Sequence, residues 1–364
     1  MWAMVIKEFL QLRRDRRTLA MMILLPIMLL VVFGYAARFD VSKVRTLVVG
    51  PQATQVAAWL KSPFGPIQKD RSAGLTRAKD ALRDGEATVA FVTGDTRPLV
   101  LIDGTDLFSA RAVETALARM AQVKPAEPVG APVAQTIAPQ IQILYNPDLK
   151  TSDVMIPGLA GVILVFVGTM IASLGVVRER QAGTLEQLAV MPLSPWDVLL
   201  GKIAPYFAVA AVDLTVVIAI GMLVFGVPMR GSVLVLILGS LLFLFVTLGL
   251  GVLISSVSQN QGQAIQLAMM TVLPQILLSG LIFPLPSMAA GVRWIAYLLP
   301  LTYFVQIARD VMLKGTPIGA LWQQFCLLAL LGIVAVTLAA FRFRQFLAPA
   351  PAGRREKRPA EASS

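Results

Sequence analysis

Asp213 is the one charged residue deep inside the long apolar stretch of residues 198–225. A carboxylate in a membrane-length apolar segment is costly, and by default it indicates a function, either contact with a cationic substrate or binding of a proton. A carboxyl group that stays protonated, or that pairs with a polar neighbour between packed helices, is an equally good interpretation. The sequence leaves both interpretations of Asp213 open.

Glutamine side chains recur in the apolar segments that follow. Gln266, Gln275 and Gln306 carry donors and acceptors, so they could line a path for a polar or charged molecule. Polar side chains also join neighbouring membrane helices through hydrogen bonds, and we favour this packing role for all three. Gln266 and Gln275 remain candidates for the path, together with Asp213.

Asp103 and Asp106 flank a Gly-Thr pair, and two neighbouring carboxylates suggest a catalytic pair or a metal site. A turn at the end of a strand, followed by the start of a helix, explains the same residues better because Asp favours both positions. We therefore predict structural roles for these two side chains.

Several kinds of chemistry are excluded by composition. The sequence contains no histidine, so a His general base, a Ser–His triad and the commonest metal ligand are excluded. Cys326 is the single cysteine and lies in an apolar run, which excludes an intrachain disulfide and a thiolate metal site. No stretch has the Gly-x-x-x-x-Gly-Lys-[Ser/Thr] pattern, so ATP hydrolysis would come from another chain, and we expect no cofactor in this one.

A polar interruption at residues 178–197 separates two segments that are apolar enough to cross a bilayer. Gly183 can end the incoming helix, and Thr184 with Gln187 has the spacing of a capping box that begins a new one. Two prolines then stop this short helix. A solvated loop with accidental capping residues is the plain alternative.

The short helix would present one apolar face, formed by Leu185 and Leu188, to a soluble partner. Charged side chains around this face could fix the register and the choice of partner, although a solvated role is the alternative for them. The full set that we expect to contact a partner is Arg178, Glu179, Arg180, Gly183, Thr184, Leu185, Glu186, Gln187 and Leu188.

The residue order in this stretch, Arg-Glu-Arg-x-x-Gly-Thr-Leu-Glu-Gln-Leu, resembles the membrane subunit of type-2 ATP-binding-cassette (ABC) exporters. Further stretches resemble the same family in the same order, at residues 145–147, 157–159, 200–206, 279–284 and 299–315. The resemblance implies that residues 178–197 form the coupling helix that docks on a separate ABC ATPase. It also points to a multidrug-efflux-like subfamily with a large extracytoplasmic domain after the first helix.

Composition and charge placement indicate a membrane protein. Hydrophobic residues make up 56% of the 364 residues and charged residues 15%. The net charge is +11, and the cations cluster at residues 7–17 and 342–358, beside the first and last apolar runs. By the positive-inside rule both ends are cytoplasmic, so the number of spans is even. Nucleic-acid binding is the weaker interpretation because the clusters lack interleaved aromatic residues.

The predicted fold is mainly α-helical, with six transmembrane helices and an inserted α/β domain. An amphipathic helix at residues 1–17 lies in the membrane interface, which agrees with the elbow helix of the family. The predicted spans are residues 18–37, 154–177, 198–225, 233–254, 263–283 and 318–341, so residues 153–341 form the transporter domain. A cleavable signal peptide is the alternative for the first span, and residues 342–364 form a basic cytoplasmic tail.

Residues 284–317 are amphipathic rather than long and apolar enough to cross. Pro300 separates two short helices, and the family places this region as a re-entrant pair in the outer leaflet. The apolar face of the first helix comprises Val292, Ile295, Ala296 and Leu299, and that of the second comprises Phe304, Ile307, Ala308 and Val311.

Residues 38–152 contain no run long enough to cross a membrane and are numerous enough to bury a core of their own. We predict strands at residues 46–49, 88–92, 99–102 and 140–145, helices at 54–60, 75–84 and 106–122, and a linker at 122–139. One crossing from a cytoplasmic start makes this α/β domain extracytoplasmic.

We therefore expect a permease subunit of an ABC exporter in the bacterial inner membrane, which forms a substrate path and catalyses no bond change. Two identical or related subunits would pair above two ABC ATPases, and movement of the coupling helices would open the path. Drug or small-molecule efflux and hand-over to a periplasmic adaptor are further expectations. The alternatives are an ATP-independent secondary transporter that uses Asp213, an exporter of lipid or polysaccharide, and a membrane-anchored enzyme.

Overall fold

The computed structural model describes residues 16–36, 41, 43–94, 98–122, 139–182 and 195–347. Within these ranges one helix comes first, an α/β unit follows, and a group of longer helices completes the chain. The first helix, α1 (Arg16–Ala36), packs against a helix of the later group. Residues 1–15 of the predicted interfacial helix (residues 1–17) and most of the basic tail lie outside the described residues.

Five strands of the α/β unit form one sheet in the order β2-β1-β3-β4-β5. The strands are β1 (Val44–Val49), β2 (Phe64–Asp70), β3 (Val89–Val92), β4 (Leu99–Asp103) and β5 (Gln140–Leu144). Strand β1 is parallel to β2 and β3, and β4 is parallel to β5, whereas β3 and β4 are antiparallel. The helices of the unit are α2 (Ala53–Trp59), α3 (Leu75–Arg83) and α4 (Leu107–Gln122).

Successive side chains of β1 enter two separate cores, as the two-residue period of a strand requires. Val48 packs on the face that α2 and α4 cover, and Leu47 and Val49 pack with Leu82 of α3 on the other face. Helices therefore cover both faces of the sheet, which explains why residues 47–49 of β1 and all of β3 are apolar.

Strand β2 is the element that the sequence prediction missed. Its sequence, Phe-Gly-Pro-Ile-Gln-Lys-Asp, contains a proline and little alternation of polar and apolar residues. A proline is tolerated here because β2 is an edge strand, where one side needs no ladder hydrogen bonds. All four predicted strands and all three predicted helices of this region are present, within one or two residues of their predicted bounds.

The longer helices after the α/β unit are α5 (Thr151–Gln181), α6 (Pro195–Leu223), α7 (Val233–Val257), α8 (Gln261–Leu278) and, last in the chain, α11 (Trp322–Leu347). Within the described part, three segments are long and apolar enough to cross a membrane: Thr151–Glu179, Val233–Val257 and Trp322–Arg342. Helix α7 packs between α5 and α11 and is the most buried of the three.

Small residues let α5 and α7 approach closely. A methyl group built on Gly251 of α7 would lie 2.8 Å from the carbonyl oxygen of Thr169 and 2.6 Å from the Cβ of Ala172. A methyl group on Gly168 of α5 would lie 2.8 Å from the hydroxyl of Thr247. Such glycine contacts bring the backbones of two helices together in membrane proteins, where packing replaces the hydrophobic effect.

Two short helices, α9 (Ala290–Ala296) and α10 (Pro300–Arg309), occupy the region predicted to be re-entrant. A π-helical turn at Asp310–Lys314 follows α10. The apolar face predicted for α10 is buried, and Phe304 stacks on Phe243 of α7 with ring centroids 4.5 Å apart. Of the apolar face predicted for α9, Ala296 is buried and Ile295 is 48% exposed.

Candidate functional site

The stretch predicted to contact a partner begins in the last turn of α5. Arg178 is exposed and Glu179 is half-buried, and Arg180 lies in the same turn of helix. Helix α5 ends at Gln181, two residues before the glycine that was expected to end it. The remaining predicted contact residues, Gly183, Thr184, Leu185, Glu186, Gln187 and Leu188, lie outside the described residues.

Side-chain hydrogen bonds fix the end of α5 to the turn between α7 and α8. The amide of Gln261 donates to the side-chain oxygen of Gln181 at 2.8 Å, and the backbone N–H of Val177 donates to the hydroxyl of Ser255 at 2.9 Å. We call these two bonds the Gln181 contact. They attach the helix that leads into residues 178–197 to two further helices.

The α7–α8 turn is itself fixed by a reciprocal cap. The Asn260 side chain accepts from the backbone N–H of Gln263 at 2.9 Å, and the Gln263 side chain accepts from the backbone N–H of Gln259 at 3.1 Å. Asn and Gln have the spacing of a capping box, but the Gln263 side chain accepts from the residue before the N-cap rather than from the N-cap itself. The Asn-x-x-Gln spacing could have predicted it from the sequence.

Asp213 lies in the middle of α6, at the edge of an exposed apolar surface. Val209, Val212 and Val216 on the same helix are 52%, 63% and 49% exposed, and Asp213 itself is half-buried. Within the described part of the chain, Asp213 makes no hydrogen bond or ion pair. The structure therefore offers no partner that would account for this carboxyl group by packing.

Two of the four glutamines of α8 contain buried acceptors without partners in the described structure. The side-chain oxygens of Gln266 and Gln275 accept no hydrogen bond, and neither does the buried hydroxyl of Thr169 on α5. The amide nitrogen of Gln275 donates only to the carbonyl of Thr271 in its own helix, at 3.3 Å. An unpartnered buried acceptor costs free energy, so these atoms are suited to receive a donor from water or from a transported molecule.

A buried ionic cluster joins the α/β unit to the segment after α10. The Lys314 ammonium group lies 2.7 Å from a carboxylate oxygen of Asp103 and 3.2 Å from one of Asp310, and it donates to the carbonyl of Leu82 at 3.4 Å. The Lys314 and Asp103 side chains are each only 6% exposed. We call Asp103, Asp310 and Lys314 the junction cluster.

The two carboxylates of the junction cluster stabilise the charged form of Lys314. Burial by itself would lower the pKa of Lys314, but the carboxylates of Asp103 and Asp310 outweigh this effect, and the pKa is raised above the ordinary lysine value. Nearby, burial raises the pKa of the Tyr145 phenol, and the Asp103 carboxylate adds to that increase. The cluster therefore contains a permanent cation between carboxylates.

The turn at the end of β4 fixes Asp103 in place. One carboxylate oxygen of Asp103 accepts from the backbone N–H and the hydroxyl of Thr105, at 3.0 and 2.7 Å, which leaves the other oxygen for Lys314. Asp106 accepts from the backbone N–H and the hydroxyl of Ser109 at the start of α4. The predicted turn and cap roles are confirmed, but the ion pair with Lys314 was missed because its two residues lie far apart in sequence.

An open cavity of about 530 Å³ lies on the α/β unit, between α4 and the residues after α2. Three cations line it, Lys61, Arg111 and Arg119, together with the exposed side chains of Trp59 and Met120. Among the described residues, none of these three cations forms an ion pair. We call this surface the cationic groove.

Comparison with known proteins identifies the family. The family model described as ABC-2 family transporter protein matches residues 16–341. The probable multidrug ABC transporter permease YbhS of Escherichia coli (strain K12) is 31% identical over 332 residues, which cover 86% of this chain and 88% of that protein. The probable multidrug ABC transporter permease YbhR of the same strain is 28% identical over 353 residues, which cover 93% and 95%.

A shorter match extends the comparison to a third protein of that strain. The inner membrane transport permease YhhJ is 30% identical over 211 residues, or 57% of this chain and 55% of that protein. The family match includes most of the chain, from α1 through nearly all of α11. The chain belongs to the ABC-2 family of transporter proteins.

Proposed function

We propose that the chain is the transmembrane permease subunit of an ABC exporter that expels drug-like small molecules, and that a separate ABC ATPase supplies the energy. The names of the YbhS and YbhR relatives support the substrate class. The observation that carries the coupling role is the Gln181 contact, because its hydrogen bonds attach the entry to residues 178–197 to both α7 and α8. A push on this stretch would therefore move several helices together.

The proposed topology has six spans, formed by α1, α5, α6, α7, α8 and α11, with both termini cytoplasmic and the α/β unit outside. Each of these six helices has at least 18 residues. Exposed apolar side chains on several of them, such as Leu30, Leu223 and Ile333, need lipid or a second permease as a cover. Helices α9 and α10 would re-enter the outer leaflet from the same side as the α/β unit.

Cysteine labelling tests this topology. In a Cys326→Ser background, we expect Lys79→Cys to react with an impermeant thiol reagent in cells with a permeable outer membrane and an intact inner membrane. Gln181→Cys should react only after the inner membrane is broken. Both side chains are exposed, so burial would not protect either. Labelling of Gln181→Cys in intact cells would contradict the proposed orientation.

Docking of the ATPase on residues 178–197 is tested with Leu188→Glu. A charge on the proposed apolar face would be buried unpaired at the contact, at a cost on the order of 3–5 kcal/mol. We expect a normal amount of permease in the membrane, with loss of ATPase co-purification and of ethidium efflux. Gln259→Glu, which adds the same charge at an exposed position of the α7–α8 turn, is the matched control. Unchanged co-purification by Leu188→Glu would refute this docking face.

The secondary-transporter alternative rests on Asp213, which has no partner in the described structure. It predicts efflux driven by a proton gradient without ATP, and loss of that efflux in Asp213→Asn. The ABC exporter proposal predicts ATP-dependent uptake into inverted vesicles that survives collapse of the proton gradient. In that case Asp213, Gln266 and Gln275 would contact the transported molecule, and export of lipid or polysaccharide would appear as a different substrate profile.

A periplasmic adaptor is a further proposed partner, and we assign it to the cationic groove. Three unpaired cations and an exposed tryptophan favour an acidic, partly apolar protein surface. The triple change Lys61→Glu, Arg111→Glu and Arg119→Glu should then abolish adaptor crosslinking while leaving ATPase co-purification unchanged. Crosslinking at the parent level would refute this assignment.

A further inference from the structure

We propose that Lys314 is a positioning residue for transport, because it fixes the α/β unit to residues 310–316 so that the two move as one body during the transport cycle. The role in transport rests on the proposed function, but the rigid attachment itself does not. The α/β unit would then move with residues 310–316 when the outer end of the transport path opens.

Direct contacts across this junction come from several places in the α/β unit. The Lys314 ammonium group contacts Asp103 at the end of β4 and the carbonyl of Leu82 at the end of α3. The Thr316 hydroxyl donates to the carbonyl of Arg83 at 3.0 Å. Leu107, the first residue of α4, packs into the apolar core of the helical bundle. One strand and two helices of the α/β unit therefore meet the bundle at this junction.

On its other side the same segment is fixed to the turn between α6 and α7. The backbone N–H of Arg230 in this turn donates to the carbonyl of Met312 at 2.9 Å. A methyl group on Gly231 would lie 2.4 Å from the carbonyl oxygen of Val311, so the two backbones touch. A shift of α6 or α7 would therefore reach residues 310–316, and the junction cluster would pass it to the α/β unit.

The charges make this attachment specific to one geometry. A buried ammonium group is stable only when carboxylates and carbonyls replace its water, and here Asp103, Asp310 and Leu82 do so together. Separation of the α/β unit from residues 310–316 would break the contacts of the Lys314 ammonium group with Asp103 and with the carbonyl of Leu82, and would leave only the Asp310 pair within the segment. Sliding of the α/β unit along residues 310–316 would break the same contacts, whereas a purely apolar contact would tolerate small shifts.

The local backbone also indicates a built junction. Residues 310–314 form a single π-helical turn, a rare conformation that is found mostly at functional positions. The turn ends at Gly315 with φ of +70°, a value that favours glycine. The π-turn carries Asp310 and Lys314 at its two ends, so it places both charges of this segment in the cluster.

Pulsed electron paramagnetic resonance on the full chain in lipid nanodiscs tests the attachment. Spin labels are placed at Lys79→Cys on the α/β unit and at Ile318→Cys after the π-turn, in a Cys326→Ser background, and both positions are exposed. We expect one narrow distance distribution in this parent and a clearly broader one in Lys314→Met and in Asp103→Asn. Asn at position 103 keeps an acceptor for Thr105, so its turn survives.

Lys150→Met is the matched control, because Lys150 pairs with Asp148 where both side chains are more than 60% exposed. It should leave the distribution narrow. If Lys314→Met fails to fold, the triple variant Asp103→Asn, Asp310→Asn, Lys314→Met removes all three charges of the junction cluster and should still give the broad distribution. A broad distribution in the parent, or a narrow one in the triple variant, would overturn the proposal.

The transport part of the inference has its own readout. In the parent complex with the ATPase, trapped with Mg-ATP and vanadate, the distance between the labels at positions 79 and 318 should stay unchanged. In Asp103→Asn, ethidium efflux should fall at least tenfold while ATPase co-purification stays normal. Normal efflux by Asp103→Asn with a broad distribution would refute the role in transport. Loss of co-purification in the parent would instead contradict the proposed ATPase partnership and leave the attachment itself intact.

Discussion

The two ends of α5 belong to regions with different kinds of contact. At the end that leads into residues 178–197, the Gln181 contact consists of two neutral hydrogen bonds. The bond between Gln181 and Gln261 is exposed, and the bond from the Val177 N–H to the Ser255 hydroxyl is buried. At the opposite end of the bundle, the junction cluster joins fully formed charges that are almost completely buried. Exposed neutral bonds exchange readily with water, whereas buried ion pairs lose several kcal/mol when one partner is removed. The end of α5 beside residues 178–197 is therefore held by weaker contacts than those of the junction cluster.

The largest expected effect is that of Lys314→Met, which removes the cation that pairs with both Asp103 and Asp310. We expect the free energy of unfolding to fall by about 3–5 kcal/mol. Thermal unfolding of the purified permease in detergent measures this, with Lys150→Met as the control at below about 0.5 kcal/mol because its ion pair is exposed. Equal melting temperatures for the two variants would break the comparison.

Gly251→Val tests the packing beside the Gln181 contact, where α5 and α7 nearly touch. The added side chain would collide with the carbonyl of Thr169 and the Cβ of Ala172, and overpacking of this kind costs about 1–3 kcal/mol. Gly291→Val on α9 is the control, because a methyl group there meets nothing within 4 Å. A melting temperature of Gly251→Val equal to that of its control would show that the two helices separate easily.

Gln261→Ala tests the Gln181 contact directly and should have a small effect on stability. The lost hydrogen bond is exposed, so the free energy of unfolding should change by less than about 1 kcal/mol. We expect instead a reduced ATPase rate of the assembled complex, because the end of α5 is less firmly attached. Gln259→Ala in the same turn serves as the control. If Gln261→Ala lowered the melting temperature as much as Lys314→Met, the Gln181 contact would stabilise the fold as much as the junction cluster, contrary to our expectation.

The stabilisation that the junction cluster gives to the folded chain should not change between about pH 7 and pH 9. Because the folded pKa of Lys314 is raised, its contribution is complete below the unfolded lysine value of about 10.4 and is lost only as the pH rises through the higher folded value. The difference in melting temperature between the parent and Lys314→Met should therefore stay constant from about pH 7 to pH 9. A difference that shrinks over this range would show that the ammonium group is less well paired than the structure indicates.

The sequence by itself was enough for elements with strong local signals. The apolar runs of α5, α7 and α11 predict membrane-length helices, because a long uninterrupted apolar segment has few other stable forms. The motifs around residues 178–188 were enough for the family, which the match over residues 16–341 bears out. The Asp103 turn and the Asp106 cap were predictable because each involves residues only two or three positions apart.

Contacts between distant residues were decided only by the tertiary structure. Strand β2 escaped prediction because its place at the sheet edge, and not its own pattern, makes Pro66 acceptable. The ion pair between Asp103 and Lys314 joins residues more than 200 positions apart, and nothing local distinguishes this lysine from one at a solvated helix end. Burial gives the pair its strength, and burial is a property of the folded chain.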